Sequence, residues 1–288
     1  MALPVTVLLI LFNYLPMFGL VLAFKDFNVR DGIFGSPWYG FKNFEFLFKT
    51  SDAWLITRNT LCYNFAIIIL STLFAVILAV LLDGLRSKLL SRTFQTVLIM
   101  PYFLSWIAVG FIGYAFLNPD KGLINSVLAT YGVKPVLWYS KVEAWPFILV
   151  FTAIWKSVGY SSVMYLATIT GISRDYYEAA AMDSATKWQQ FCHITLPFLK
   201  PMLIILTLLS IGKIFYADFG LFYHLPRQSG QLYPVTNVID TYVYNGLKVT
   251  GNIGMSAASN FYQSVVGFVL VLAANLTVRK IDPEYSLF

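Results

Sequence analysis

Six long apolar runs constrain this chain more than any other feature of its sequence. A membrane hydrocarbon core about 30 Å thick is crossed by about 20 helical residues. Runs of that length occupy residues 3–24, 59–82, 94–117, 145–169, 198–223 and 255–278. Only 12% of the 288 residues are charged, against about 25% in a typical soluble domain. The sequence therefore predicts an all-α membrane protein with six transmembrane helices.

The runs divide the chain into three regions. Residues 1–58 hold the first transmembrane helix and an outer loop, residues 59–280 form a core of five helices, and residues 281–288 form a tail. The first run has no basic start and is longer than the apolar part of a signal peptide, so we expect it to stay as an anchor.

Basic residues set the expected orientation. The short loop 83–93 holds three Lys or Arg residues, which favours a cytoplasmic position for that loop. With six spans, both termini and the loop between the fourth and fifth runs then share that side. The loops of that side hold 8 Lys or Arg residues against 10 on the opposite side. Because the opposite loops are about twice as long, the density of basic residues still supports the assignment.

A polar loop at residues 173–197 lies between the fourth and fifth runs. Ser173 is a suitable helix N-cap, and Glu178 lies near the positive end of that helix. The alanines at 179–181 favour helix. A second short helix is predicted around 188–195, where apolar residues share one face, and Pro197 indicates that a new helix starts there. From the pattern alone, the loop is an amphipathic connector at the membrane surface.

The spacing within this polar loop resembles a known signature. Its residues are Glu178, Ala179 and Ala180, then Asp183 and Ser184, and finally Ile194, Leu196 and Pro197. This order is similar to the cytoplasmic loop of binding-protein-dependent ABC importer permeases of type I. The family usually has glycine where this chain has Ser184. Glycine allows a positive φ in the turn between the two short helices, and serine adopts that conformation only at some cost. The runs at 14–17, 23–27, 218–223 and 282–288 resemble the polysaccharide and oligosaccharide branch.

The resemblance implies a transport subunit of the bacterial cell membrane. The chain has no phosphate-binding loop of the form G-x-x-x-x-G-K-[ST], so it is not expected to be an enzyme, and it carries no catalytic, cofactor or metal residues. ATP and Mg²⁺ would be bound by two separate ATPase subunits. In this reading Glu178 and its neighbours form a coupling helix that docks on an ATPase. The other implied partners are a second, different permease chain, a solute-binding protein and an oligosaccharide.

Polar side chains within the apolar runs are the candidates for a substrate pathway. Charges inside spans cost about 2.5–3.5 kcal/mol on insertion scales, so Lys156, Lys213 and Asp218 have either a functional role or a role in holding helices in register. Aromatic and amide side chains suit carbohydrate through stacking and hydrogen bonding. Such candidates are Tyr63, Asn64, Trp106, Trp155, Tyr216, Asn260 and Gln263. If the two lysines are unpaired in a cavity, an acidic sugar is indicated.

Other classes of protein fit less well. The net charge of +6 is dispersed rather than clustered, which argues against nucleic acid as a partner. A secondary, ion-coupled transporter using Lys156, Lys213 and Asp218 is the main alternative, although it leaves the polar loop unexplained. A membrane-embedded glycosyl-transferring enzyme would need carboxylates near a membrane face, and here the acidic residues are scattered singly.

Overall fold

The computed structural model describes residues 3–50 and 52–281, and almost all of their regular structure is helical. Five helices are long and apolar enough to cross a membrane, and a bent pair supplies a sixth. The five are α1 (Leu3–Phe24), α2 (Asp52–Asp83), α6 (Trp145–Thr170), α8 (Lys187–Ile211) and α11 (Ile253–Ile281). The six predicted spans are confirmed in this form. Apart from Ile281, the predicted tail 281–288 lies outside the described residues.

The third apolar run is not one straight helix, as its length had suggested. It forms α3 (Lys88–Ile99), a 3₁₀ turn and then α4 (Trp106–Leu117), and the two arms bend by 99°. The break follows Pro101, and the Ser105 side chain caps α4 by accepting a hydrogen bond from the amide of Ala108 at 3.2 Å. A short helix, α5 (Leu123–Thr130), follows on the far side of the bend.

The fifth run is shifted relative to its prediction. The polar loop contains α7 (Arg174–Met182), and α8 then starts at Lys187 within that loop. The helix does not restart at Pro197, because a π-helical turn at Phe191–Thr195 joins its two parts. Instead α8 ends at Ile211, well before residue 223, and a turn leads to a separate helix, α9 (Phe219–His224). Lys213 therefore lies in a turn rather than inside a span.

Three apolar clusters hold the helices together. One lies near the polar loop and includes the buried residues Ala75 and Ala79 of α2 and Tyr165 of α6. A second surrounds Trp145 and Leu225 at the opposite end of α6. The third packs the end of α1 on α11 and on α10 (Ile239–Thr250). The predicted boundary between residues 58 and 59 falls inside α2, and α1 shares this last cluster with the core.

One close contact fixes the broken third span against α6. A Cβ at Gly159 would overlap the backbone carbonyl of Leu98, so only glycine lets the two backbones meet there. Beyond this contact Tyr102 stacks on Tyr160 with ring centroids 4.4 Å apart. The bend in the third span therefore lies directly against α6.

Candidate functional site

The polar loop ends its first helix with a well-formed turn. Ser184 has a φ of 60°, so it adopts the left-handed conformation that glycine would allow at this position. The amide of Ala185 donates to the carbonyl of Ala180 at 2.9 Å, and that of Ser184 donates to Ala181 at 3.0 Å. These two bonds define a Schellman motif, in which glycine is the usual residue at the left-handed position. Ser173 caps the start of α7 through the amide of Asp175, as predicted from the sequence.

Side chains fasten α7 to α8. The Tyr177 and Thr195 hydroxyls lie 2.9 Å apart, and the Tyr176 ring packs on the Phe198 ring. Thr186 forms a capping box with Gln189 at the start of α8. The two helices of the polar loop are therefore one unit with the start of a transmembrane helix.

The surface of this unit is unusually apolar for an exposed loop. Glu178 and Ala179 are exposed, and Ala180 is half-buried. Next to them Met182 is 88% exposed and Trp188 is 70% exposed. Large apolar side chains that project together into solvent are typical of a protein contact surface. Sequence analysis had not assigned Met182 or Trp188 a partner role. Of the other signature residues, Ile194 is partly buried, while Leu196 and Pro197 are exposed in the first turn after the π-helical segment.

A second group of polar side chains lies beside the bend in the third span. The Lys156 ammonium donates to the carbonyl of Tyr102 at 2.7 Å, and it lies 5.4 Å from the Tyr102 ring and 5.1 Å from the Trp106 ring. The Trp106 indole N–H donates to the Asp218 carboxylate at 2.8 Å. Asp218 also caps α9 through the amides of Gly220 and Leu221. The Trp106 indole therefore contacts Lys156 through its ring face and Asp218 through its N–H group.

Three predicted pathway residues donate hydrogen bonds to backbone carbonyls. Tyr63 is buried and donates to Val235 at 2.7 Å. Asn64 donates to the carbonyls of Ile214 and Tyr216, at 2.8 and 3.1 Å. Gln263 is buried and donates to Phe215 at 2.6 Å. The bonds of Asn64 and Gln263 satisfy carbonyls that the turn after α8 leaves without helical partners, while Tyr63 bonds the short helix Tyr233–Thr236.

Asp240, which the sequence analysis did not single out, holds the same turn. Its carboxylate accepts a hydrogen bond from the amide of Ala217 at 2.8 Å and lies 3.4 Å from the Gln263 amide nitrogen. Burial raises the pKa of Asp240 above its ordinary value, and these hydrogen bonds oppose that rise. This side chain of α10 therefore fixes where the chain leaves α8.

The remaining predicted residues lie apart from the Lys156 group. The Tyr216 hydroxyl lies 2.7 Å from the Ser264 hydroxyl and 3.4 Å from the carbonyl of Asn260. Trp155 and Lys213 are exposed. Across residues 3–50 and 52–281, neither Lys156 nor Lys213 forms an ion pair with a carboxylate, since the only salt bridge there joins Lys49 to Glu45. The same part of the chain contains no group of His, Cys, Asp and Glu residues suited to a metal ion.

A bundle of apolar spans, one of them broken, with an exposed two-helix loop on one side, defines a multi-pass membrane permease. Discontinuous helices at mid-membrane depth are a recurring feature of transport proteins. The chain belongs to the family of binding-protein-dependent transport system inner membrane components, whose family model matches residues 71–282.

Similar proteins point in the same direction. The chain is 34% identical to the polygalacturonan/rhamnogalacturonan transport system permease protein YteP of Bacillus subtilis, over 99% of this chain and 88% of that protein. It is 32% identical to protein LplB of the same organism, over 96% of this chain and 86% of LplB. A crystal structure of a bacterial ABC transporter involved in the import of the acidic polysaccharide alginate superposes with a TM-score of 0.87 and 31% identity, covering 97% of this chain and 94% of that one. The fold is therefore that of an ABC importer permease.

Proposed function

We propose that this chain is a permease subunit that imports acidic oligosaccharides through a bacterial cell membrane, driven by ATP hydrolysis in two partner subunits. Family membership and the likeness to a polygalacturonan permease and an alginate transporter support the substrate class. A solute-binding protein delivers the sugar, as in the related alginate transporter complexed with an alginate pentasaccharide-bound periplasmic protein. A second permease chain completes the pathway.

The structure of the polar loop is the main support for a role in coupling to an ATPase. It presents Glu178, Met182 and Trp188 on one compact unit that continues into α8 without a break. We infer that this surface docks on an ATPase in the cytoplasm. Ala180 is half-buried, so a larger side chain there would disturb both the packing of α7 and the fit to a partner.

The Lys156 group supports the acidic character of the substrate. The side chains of this group are exposed or half-buried. They cannot face lipid without a large cost, so they face a cavity or a partner chain. In this group Lys156 lies over two aromatic rings and has no carboxylate partner among the described residues. A carboxylated sugar stacked on Trp106 would meet this ammonium directly, while the aromatic faces bind its C–H groups.

Uptake assays on the complete transporter test the coupling role. We expect Glu178→Ala to reduce uptake strongly and Ala180→Trp to abolish it, while both variants remain in the membrane. Glu143→Ala, at an exposed carboxylate at the opposite end of α6, is the matched control and should leave uptake unchanged. Unchanged uptake in both loop variants would refute the coupling role.

A second measurement separates ATP-driven from ion-coupled transport. The complex should co-purify with an ATPase subunit, and vanadate should stop uptake. The ion-coupled alternative is not favoured, because Asp218 is engaged by an indole and by helix amides and forms no ion pair with either lysine. Uptake that persists in vanadate and collapses with the proton gradient would favour it instead.

A further inference from the structure

Helices α4 and α9 run side by side in one direction. Trp106 lies against Gly220, Gly110 against His224 and Gly113 against Leu225, so contacts advance together along both helices. A Cβ on Gly110 would lie only 2.9 Å from the His224 carbonyl oxygen, so glycine permits this approach. The pair leads from the Lys156 group at the bend toward the end of the molecule opposite the polar loop.

A cavity of about 370 Å³ opens beside this helix pair. One wall is apolar and consists of Ile107, Gly110 and Phe111 of α4. The other wall carries hydrogen-bonding groups, from Tyr223, His224, Arg227 and Gln228. An aromatic and apolar wall facing a few polar groups is the usual composition of a small-ligand site. The cavity wall contains a cation and no carboxylate, so its charge favours an anion.

The turn that carries Arg227 is held in an unfavourable backbone conformation. Arg227 and Gln228 have φ values of 54° and 53°, the left-handed region that residues other than glycine rarely occupy. Two such residues in succession cost about 1–3 kcal/mol each, and conformations of this kind cluster at ligand-binding sites. The chain therefore keeps a strained turn where a relaxed one, with glycine, was available.

Neighbouring side chains hold this turn rigid. The Tyr139 hydroxyl donates to the Leu225 carbonyl at 3.3 Å, and the Ser229 hydroxyl donates to the Tyr139 carbonyl at 3.2 Å. Burial raises the pKa of Tyr139 to about 12, so its hydroxyl keeps its proton and remains a donor at neutral pH. The Arg227 guanidinium then lies 4.0 Å from the Tyr114 ring. It is exposed and forms no ion pair within the described part of the chain.

We propose that this cavity is a second sugar subsite, in which Arg227 binds the carboxylate of a uronic acid unit of the transported oligosaccharide. The planar guanidinium fork matches a carboxylate, and stacking on Tyr114 fixes its plane in advance. The Phe111 and Tyr223 rings accept the sugar's C–H faces, and His224 and Gln228 bond its hydroxyls. This assignment rests on the proposed import of acidic oligosaccharides and adds a subsite toward the mouth of the pathway.

The test compares an oligogalacturonate with its methyl ester, which has nearly the same shape and no charge. Uptake is measured with the complete transporter in vesicles of phosphatidylcholine, so that no anionic lipid competes for the cavity. We expect Arg227→Gln to lower uptake of the acid about tenfold, the loss of one charge-assisted contact, and to leave the ester unchanged. Arg227→Lys keeps the charge without the fork and should give an intermediate loss.

Controls make the outcomes distinct. Lys134→Gln removes a different exposed cation, which lies between α5 and α6 and outside the cavity, and it should not alter the ratio of acid to ester uptake. Melting temperatures of the Arg227 variants should match the unmodified protein. Equal loss for acid and ester, or no loss for either, would overturn the subsite while leaving the proposed function intact. Failure of the unmodified transporter to take up the acid would overturn the proposed function and the subsite with it. An effect of Arg227→Gln on uptake that appears only when anionic lipid is added to the vesicles would identify a lipid headgroup as the occupant and overturn the subsite.

Discussion

Replacing Ser184 by glycine tests whether the end of α7 is under backbone strain. Ser184 has a φ of 60°, and this region costs an L-residue with a Cβ about 1–2 kcal/mol. Glycine adopts it freely but loses about 0.4–1 kcal/mol through its greater freedom in the unfolded chain. Taken at the middle of both ranges, the difference is a net gain of about 0.5–1 kcal/mol for Ser184→Gly. That gain corresponds to a roughly two- to fivefold shift in the local opening equilibrium.

Hydrogen exchange on peptides covering the polar loop measures this shift directly. The amides of Ser184 and Ala185 close the turn through bonds of 3.0 and 2.9 Å, so their exchange reports its opening. We expect these amides to exchange about two to five times more slowly in Ser184→Gly. Ser184→Ala keeps the Cβ and therefore the strain, so its exchange rate should match that of the unmodified protein. Equal slowing in both variants, or no slowing with glycine, would refute the reasoning.

Two further predictions concern the core. Gly159→Ala should destabilise the protein by about 1–3 kcal/mol, because the added Cβ overlaps the Leu98 carbonyl. Gly19→Ala is the control, because a Cβ there would meet nothing within 4 Å, and it should leave thermal unfolding unchanged. A melting temperature of Gly159→Ala equal to that of Gly19→Ala would contradict the argument. Asp240→Ala should cost about 1–3 kcal/mol by leaving the Ala217 amide without its acceptor, and Asp240→Asn much less. Burial raises the pKa of Asp240 in the folded state above its ordinary value. The protonated carboxyl group therefore adds to the free energy of unfolding at low pH, and this stabilisation is lost as pH rises through the folded-state pKa. The unmodified protein should therefore lose stability relative to Asp240→Asn over that pH range, and parallel pH profiles would argue against it.

The sequence could predict the features that depend on local pattern. Apolar run length predicted the number of spans, and the polar loop followed from composition and spacing. The resemblance pointed to the turn at Ser184, because the family usually has glycine at that position and glycine allows a positive φ.

The bend at Ser105 and the end of α8 were not predictable from the sequence. The residues on either side of the break, 96–104 and 106–117, are largely apolar, so a hydropathy window does not distinguish the bent pair from one straight helix. The sequence of residues 212–217 predicts a continuing span. The side chains that hydrogen-bond the backbone of this turn lie far away in sequence, and they are Asn64, Asp240 and Gln263. The contact between Arg227 and Tyr114 is equally non-local, so no sequence window contains the cavity.

The uninterrupted course of α8 from the polar loop into the membrane gives it the geometry of a lever. Its 25 residues correspond to about 37 Å at about 1.5 Å per residue. A tilt of about 5° at the loop end would displace the far end by about 3 Å, the length of a hydrogen bond. Immediately beyond that far end, the Asn64 side chain of α2 donates hydrogen bonds to the carbonyls of Ile214 and Tyr216. Either α2 tilts together with α8 as one rigid body, or each tilt of α8 breaks the two Asn64 hydrogen bonds, which must then form again.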